Sequence, residues 1–184
     1  MSDVLLEVAR NAVYAAVRSE QYRPSLDELP AEVRVHGNCF VTLTKSGALR
    51  GCIGSLEARN PLAVDVAINA DKATRDPRFP LLAASELGHL ELEISVLGDP
   101  HPFEVSSYDN LVESLSPGGD GVVVRSDEKR AVFLPAVWGD LREPDVFIAA
   151  LWRKAGLAER AWPSHVRLER FRTRSIGPRG ISGI

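Results

Sequence analysis

The residues best suited to chemistry in this chain are an arginine and a cysteine placed two apart among glycines, in the segment Leu49-Arg50-Gly51-Cys52-Ile53-Gly54. A guanidinium beside a thiol favours the thiolate, which is the nucleophilic form of cysteine. Because glycine adds no packing within a strand, Gly51 and Gly54 indicate a bend or the close approach of another group. Free cysteine is also a common small core residue, so a catalytic Cys52 and a structural Cys52 are both retained as interpretations.

A hairpin is predicted to position this segment. Residues 38–45 are rich in Phe, Val and Thr, and a Ser-Gly turn leads from them into a second strand over 48–53. Strand alternation predicts that Leu49 and Ile53 face a core, which would place the guanidinium and the thiol together on the opposite side.

The register of this hairpin relates the two cysteines of the chain. A two-residue loop would pair Val41 with Cys52 and place Cys39 and Cys52 as diagonal neighbours on one face. That spacing disfavours a relaxed disulfide without excluding one. Two cysteines do not form a disulfide framework, and they fit a reducing compartment.

A second element is expected to bring charged residues to the hairpin. Residues 62–74 are apolar on most sides of a helix, so this helix is expected to be central and largely buried. It ends at Asp76-Pro77-Arg78-Phe79-Pro80, where two prolines stiffen an extended loop. Such a loop either presents Asp76 and Arg78 to a ligand or uses them to brace the helix end.

Helices mixed with hairpins, without regular strand–helix alternation, indicate an α+β fold with mainly antiparallel sheet and flanking helices. Helical spacing is found over 4–17 and 145–155, strand alternation over 90–96, and a second hairpin over 122–134. From Ser175 onward the chain is rich in glycine and proline and lacks apolar periodicity. Residues 175–184 are therefore predicted to be a flexible C-terminal tail that folding does not need.

Composition excludes several classes of protein. The chain has 184 residues, a formal net charge of -3 and 45% hydrophobic residues, which is typical of a globular protein and disfavours nucleic-acid binding. The first residues lack a signal-peptide pattern, and no apolar run reaches membrane-spanning length, so we predict a cytoplasmic protein without membrane contact. No phosphate loop, CxxC, HExxH or GxSxG motif occurs, and neither a cofactor nor a metal is predicted.

Two further groups of charged residues have competing interpretations. His89, Glu91 and Glu93 share one strand face and could hold a metal, although a solvated polar face is the favoured interpretation. A set of arginines near the C-terminus resembles a basic patch that could bind RNA. Because Glu169 interrupts this patch and the chain is acidic overall, a role in RNA modification is the least favoured function. These arginines are Arg167, Arg170, Arg172 and Arg174.

Four segments in this order resemble the AMMECR domain family, whose prokaryotic members are often called AmmeMemoRadiSam system protein A. They are Leu49–Gly54, Asp76–Pro80, Glu93–Leu97, and Phe133–Pro135 with Val137-Trp138 and Arg153–Leu157. The resemblance extends over roughly Val4–Thr173. It implies an α+β fold of two unequal lobes, with the family domain over 1–174 and a smaller lobe within about 99–145.

The resemblance also implies association with a Memo-type protein and a radical SAM enzyme, but no settled activity. One hypothesis is an enzyme component with Cys52 as nucleophile and with His36, His89 or His165 as base. Arg50 would then activate the thiol or bind an anionic substrate group. A second hypothesis is a non-catalytic binding or adaptor module for those partners, and a third is an RNA-modification accessory. The residues expected to bind substrate or partner are Arg50, Gly51, Gly54, Asp76, Arg78 and Glu93.

Overall fold

A computed structural model describes residues 1–183 of the chain. Its helices are α1 (Ser2–Val17), α2 (Ala31–Arg34), α3 (Leu62–Ala73), α4 (Tyr108–Ser114) and α5 (Pro144–Lys154). Its strands are β1 (His36–Gly37), β2 (Cys39–Lys45), β3 (Ala48–Gly54), β4 (Asn60–Pro61), β5 (Leu90–Leu97), β6 (His101–Pro102), β7 (Gly121–Ser126), β8 (Lys129–Phe133), β9 (Arg167–Phe171) and β10 (Thr173–Gly180). Short 3-10 helices cover Leu26–Glu28, Ala84–His89, Pro135–Gly139 and Ile181–Gly183.

The chain divides into two compact units of unequal size. The first unit combines residues 1–97 with the chain from Arg174 onward, and its four-stranded sheet has the order β10-β5-β2-β3. The second unit is the continuous segment 98–173, with the sheet order β6-β9-β7-β8. Antiparallel pairing of β2 with β3 and β5, and of β7 with β8 and β9, confirms the predicted α+β class.

The second unit is longer than the lobe expected within 99–145. Strand β9 pairs with β7, so the segment that follows α5 returns to this sheet. Helix α5 supplies the buried side chains of Phe147, Ile148, Leu151 and Trp152 to the same core. The unit therefore extends to residue 173, because its core needs both α5 and β9.

Helix α3 is the central buried element of the first unit, as its composition predicts. It packs against α1 and against the inner face of the sheet, which we define as the face toward these two helices. Ala63, Val66 and Ala70 are fully buried there, whereas Ile68 is exposed. This arrangement places the C-terminal end of α3 beside strand β3.

The end of the chain differs from the flexible tail predicted over 175–184. Strand β10 lies beside β5 at the edge of the first sheet, and Ile176 and Ile181 belong to its core. Gly177 has a φ of +98° and lies so close to the β5 backbone that a Cβ would be 2.6 Å from the Leu92 oxygen. In this edge strand glycine allows the backbone to lie close to β5, and proline is tolerated because the outer edge has no pairing strand. These residues therefore do not indicate disorder here.

None of the helices within residues 1–183 combines the length and the apolar character needed to cross a membrane.

Candidate functional site

A β-bulge in strand β3 determines where the Arg50 side chain lies. Leu43 pairs with Gly51 and Thr44 pairs with Leu49, so Arg50 is the extra residue without a partner in β2. The bulge breaks the alternation on which the sequence analysis relied. Leu49 is consequently 43% exposed instead of facing the core, whereas Ile53 packs against the core as predicted.

The bulge also shifts the register by one residue, which corrects the predicted relation of the cysteines. Cys52 pairs with Thr42 rather than with Val41. Cys39 is fully buried on the inner face, and Cys52 is half-buried on the opposite, outer face. Because side chains on opposite faces of a sheet point away from each other, the two sulfur atoms cannot bond, and both cysteines are free thiols.

The two glycines beside Cys52 are required by the protein's own atoms. A Cβ at Gly51 would collide with the backbone oxygen of Ala73 at the end of α3. A Cβ at Gly54 would collide with the ring of Phe40, which lies on the outer face. The prediction that these glycines leave room for a ligand or a partner backbone is therefore wrong, since that space is filled.

Asp76 and Arg78 hold the backbone of Cys52 from the loop after α3. Asp76 is 2% exposed, and its Oδ2 atom accepts hydrogen bonds from the Cys52 amide at 2.9 Å and from the Arg78 Nη2 atom at 2.6 Å. The same Arg78 nitrogen donates to the Cys52 carbonyl at 3.3 Å. The Arg78 hydrogen bonds hold the pKa of the Asp76 carboxyl well below its usual range, despite burial. Both polar backbone atoms of Cys52 are thus fixed by one ion pair.

A second ion pair holds Arg50. The Glu86 carboxylate accepts from Arg50 Nε at 3.0 Å and from Arg50 Nη2 at 2.9 Å, and from Lys45 Nζ at 3.0 Å. The Arg50 guanidinium is the main reason that the pKa of Glu86 is lowered to about 2. Arg50 also donates to the Leu81 carbonyl at 3.3 Å. Its charge is therefore neutralised by Glu86, and sequence reasoning missed both Glu86 and Lys45.

The Cys52 thiol has one side-chain partner among the described residues. The Thr42 hydroxyl donates to the Cys52 Sγ atom at 3.3 Å. Thr42 also pairs with Glu93 of β5, so Glu93, Thr42 and Cys52 form a row across three adjacent strands. Strand alternation could have identified Thr42 if the bulge had been foreseen.

The histidines suggested as bases do not bond to this thiol. His36 lies in β1 and His89 ends the 3-10 helix before β5; neither forms a hydrogen bond with Cys52 within residues 1–183. His165 belongs to the second unit. The Glu91 carboxylate accepts from the Thr44 hydroxyl at 3.4 Å. In the described part of the chain, no group of three or more His, Cys, Asp or Glu residues is arranged to hold a metal ion.

The two thiols differ in their surroundings. Cys39 lies beside the buried carboxylate of Asp65, which accepts a hydrogen bond from the Cys39 amide at 3.0 Å. Burial raises the pKa of the Cys39 thiol strongly, and the negative charge of Asp65 raises it further. Cys39 is thus an inert core residue, and Cys52 is the thiol open to a reagent.

Comparison with known sequences decides the family, because the match includes both the Cys52 strand and the Asp76–Arg78 loop. The sequence matches the AMMECR1 family over residues 6–176. This chain belongs to the AMMECR1 family. A relative from Methanothermobacter thermautotrophicus is 38% identical over 159 residues, which are 83% of this chain and 81% of that protein. An AMMECR1-type chain from Thermotoga maritima is 35% identical over 79% of this chain and 80% of its own length.

A solved structure has the same AMMECR1 fold. The crystal structure of the uncharacterized protein PH0010 from Pyrococcus horikoshii matches with a TM-score of 0.83 and 28% sequence identity. The match covers 96% of this chain and 92% of that chain. The family and the α+β architecture expected from the four segments are therefore confirmed.

Proposed function

We propose that this AMMECR1-family chain is a cysteine-dependent catalytic component, in which Cys52 forms a covalent bond with the substrate. One observation carries the proposal. The Cys52 thiol is half-exposed on the outer face of the sheet, while its amide and carbonyl are both held by the Asp76–Arg78 pair. A nucleophile held in place from its backbone loses little freedom on reaction, which favours attack.

The surrounding groups fit this role. Sulfur attack on an electrophilic carbon would form a carbon–sulfur bond, release the thiol proton to water and expel a leaving group from that carbon. The Thr42 hydroxyl places a hydrogen-bond donor on the reacting sulfur. Arg50 is fixed at the edge of the site by Glu86, so its role is to shape the site rather than to act as a free cation. In this proposal the chain works with a Memo-type protein and a radical SAM enzyme in the cytoplasm.

Alkylation of the native protein tests the proposal, with Cys39 as an internal control. The protein is treated with iodoacetamide at neutral pH, and modification of each cysteine is followed by peptide mass spectrometry. Cys52 should react in the folded protein, and Cys39 should react only after denaturation, because it is fully buried. Equal protection of both thiols in the folded protein would contradict the proposal.

A substitution then connects the thiol to function. Cys52→Ser should change the free energy of unfolding by less than about 1.5 kcal/mol, since the site lies outside the core. The same variant should fail to complement a deletion of the gene in its host. A stable Cys52→Ser protein with full function would remove the catalytic role, and an unstable but functional one would make Cys52 a core residue.

A second candidate function is a binding module for the same partners. Exposed leucine side chains beside Arg50 favour it. Leu49 is 43% exposed and Leu81 is 73% exposed, and the Arg50 side chain bonds to the Leu81 carbonyl. Copurification of tagged wild-type protein with the Memo-type and radical SAM proteins of its host separates the two functions. A pure binding module predicts that Leu81→Asn loses the partner and Cys52→Ser keeps both partner and function.

A further inference from the structure

A groove in the second unit is a separate candidate binding site. Its volume is about 740 Å³, and its walls include Phe103, Val105, Trp162 and Leu168, with Arg125 and Arg167 on its polar side. This volume is within the range of small-molecule sites, which is about 300–1,000 Å³. None of the residues placed around Cys52 lines this groove, so it lies outside the site of the proposed function.

Three arginines lie in one row across the sheet, and two of them, Arg125 and Arg167, line the groove. Arg125 of β7 pairs with Arg130 of β8 on one side and with Arg167 of β9 on the other. Like charges directly opposite one another in a sheet are destabilising. Anionic groups beside such a row stabilise it, because they offset the repulsion between the guanidinium groups.

Of the two arginines that line the groove, Arg125 has an ion-pair partner and Arg167 has none among the described residues. Arg125 is paired with Glu169, whose Oε2 atom lies 3.3 Å from the Arg125 Nε atom. The Arg167 guanidinium has no hydrogen bond or ion pair within residues 1–183. An unpaired guanidinium beside a groove is suited to bind a phosphate or carboxylate in bidentate fashion.

The apolar wall of the groove suits a planar ring. Trp162 is stacked on Trp152 with ring centroids 6.2 Å apart and an interplanar angle of 17°. Trp152 is fully buried, and its Nε1 atom donates to the Ala161 carbonyl at 2.7 Å, so it is a fixed support for Trp162. A supported indole and the neighbouring Phe103 side chain provide the kind of surface on which aromatic groups stack.

The other polar groups of the groove include both donors and acceptors. The Asn110 Oδ1 atom accepts from the Ser106 amide at 3.2 Å, which leaves the Asn110 amino group for a ligand. The Trp162 Nε1–H group has no acceptor in the described part of the chain. Two carboxylates also line the groove, Glu169 as the partner of Arg125 and Glu104 as an acceptor suited to an amino or hydroxyl group of the ligand.

From these observations we infer that the groove binds a small acid built on a planar ring, with the acidic group on Arg167 and the ring against Trp162. A nucleoside monophosphate and an aromatic carboxylate share this chemistry. The inference does not depend on the function proposed for Cys52.

Isothermal titration calorimetry with defined probes tests the inference. Adenosine monophosphate and indole-3-acetate each carry a ring and an acid, whereas adenosine carries only the ring and inorganic phosphate only the acid. Adenosine monophosphate, indole-3-acetate or both should bind, and each compound that binds should do so more tightly than a fragment that carries only the ring or only the acid. If adenosine monophosphate has the higher affinity, the preferred acid is a phosphate, and if indole-3-acetate has the higher affinity, it is a carboxylate. Absence of binding by both, or equal binding of a fragment, would overturn the inference.

Matched variants locate the binding in the groove. Arg167→Gln should weaken binding about tenfold or more, because it removes a charge-assisted hydrogen bond. The same change should leave thermal stability unchanged or raise it, since it relieves the like-charge row. Arg172→Gln is the control, because this exposed arginine does not line the groove. Equal affinity in both variants would overturn the assignment.

A third variant tests the ring and the alternative of nucleic acid. Trp162→Leu keeps an apolar side chain but removes the stacking surface, so affinity should fall while the melting temperature is monitored as a check on folding. Binding of a single-stranded oligonucleotide without binding of the mononucleotide or the aromatic acid would overturn the inference and favour an RNA-related role.

Discussion

Charged residues serve opposite purposes in the two units. In the first unit Asp76 pairs with Arg78 and Glu86 pairs with Arg50, and these ion pairs hold the strand that carries the Cys52 thiol. In the second unit Arg167 lies opposite Arg125 in the sheet, and its own guanidinium has no ion-pair partner among the described residues. The comparison teaches that paired charges fix the backbone of a half-buried thiol in one unit, whereas in the other unit a guanidinium beside a groove has no such partner.

The first unit is built from two separate segments of the chain, whereas the second unit is one continuous segment. Truncation of the C-terminal segment tests this difference and has the largest expected effect. Removal of residues 175–184 deletes most of β10 together with two buried side chains, those of Ile176 and Ile181. Each buried isoleucine contributes about 1.5–3 kcal/mol. Because 1 kcal/mol changes the melting temperature by about 2–4 °C at this size, we expect a fall of about 10 °C or more by calorimetry.

Hydrogen exchange locates that loss. Protection should fall most in β5, which lies next to β10, and less in β2, which is the next strand of the sheet, and it should persist in β7 and β9 of the continuous unit. Ile181→Ala is a milder control that keeps β10 and removes one side chain. A melting temperature within about 2 °C of the full chain, less than one buried side chain contributes, would show that β10 does not hold the first sheet.

The glycines beside Cys52 test how tightly the first site is packed. Gly51→Ala would press a methyl group against the backbone of α3, which cannot move aside, so we expect a loss of about 2–3 kcal/mol in unfolding free energy. Gly54→Ala meets the Phe40 side chain at Cγ, which moves aside only if χ1 changes, so we expect a smaller loss of about 1–2 kcal/mol. Urea titration measures both variants, and the reverse order would contradict the packing described for β3.

Acid titration has the smallest expected effect, and it separates the paired carboxylates of the first unit from the groove arginine Arg167. The pKa values of Asp76 and Glu86 are lowered in the folded protein, that of Glu86 from 4.5 to about 2. Their stabilisation is therefore complete above the unfolded pKa values and is lost as pH falls from about 4.5 toward 2. Arg167 forms no ion pair with either carboxylate, so its substitution serves as a control.

Conservative variants identify the groups responsible for that acid sensitivity. Asp76→Asn and Glu86→Gln should each be less stable than wild type at pH 6, and their stability should fall less steeply between pH 5 and pH 3. Arg167→Gln should follow the wild-type curve. Equal slopes for all four proteins in urea titrations would show that these carboxylates do not link folding to pH.

Sequence patterns predicted the elements better than their pairing. Helix α3 and the α+β class were predictable from the spacing of apolar residues, because the buried sides of a helix or strand determine where apolar residues occur along the sequence. The register of β3 did not follow, since a bulge at Arg50 depends on contacts with β2 that no local pattern encodes. Strand β10 was mistaken for a tail because glycine and proline are common to edge strands and to disordered segments.

The candidate site was predictable where its residues are close in sequence. Cys52, Asp76 and Arg78 meet in the structure, as expected from the hairpin and the proline-stiffened loop, whereas Arg50 bonds to Glu86 and to the Leu81 carbonyl. Glu86 was missed because it lies in a short 3-10 helix without a distinctive pattern, 36 positions beyond Arg50. Glu93 reaches the same sheet face, but through Thr42 as an intervening strand neighbour.

The late position of β10 has a consequence during protein synthesis. The first sheet needs a strand that leaves the ribosome only after the whole of segment 98–173 has been translated. At about 5–20 residues per second, that delay is about 4–15 s. The second unit can therefore fold while the nascent first unit still has an open edge at β5, and a chaperone that shields unpaired strands would protect the chain during that interval.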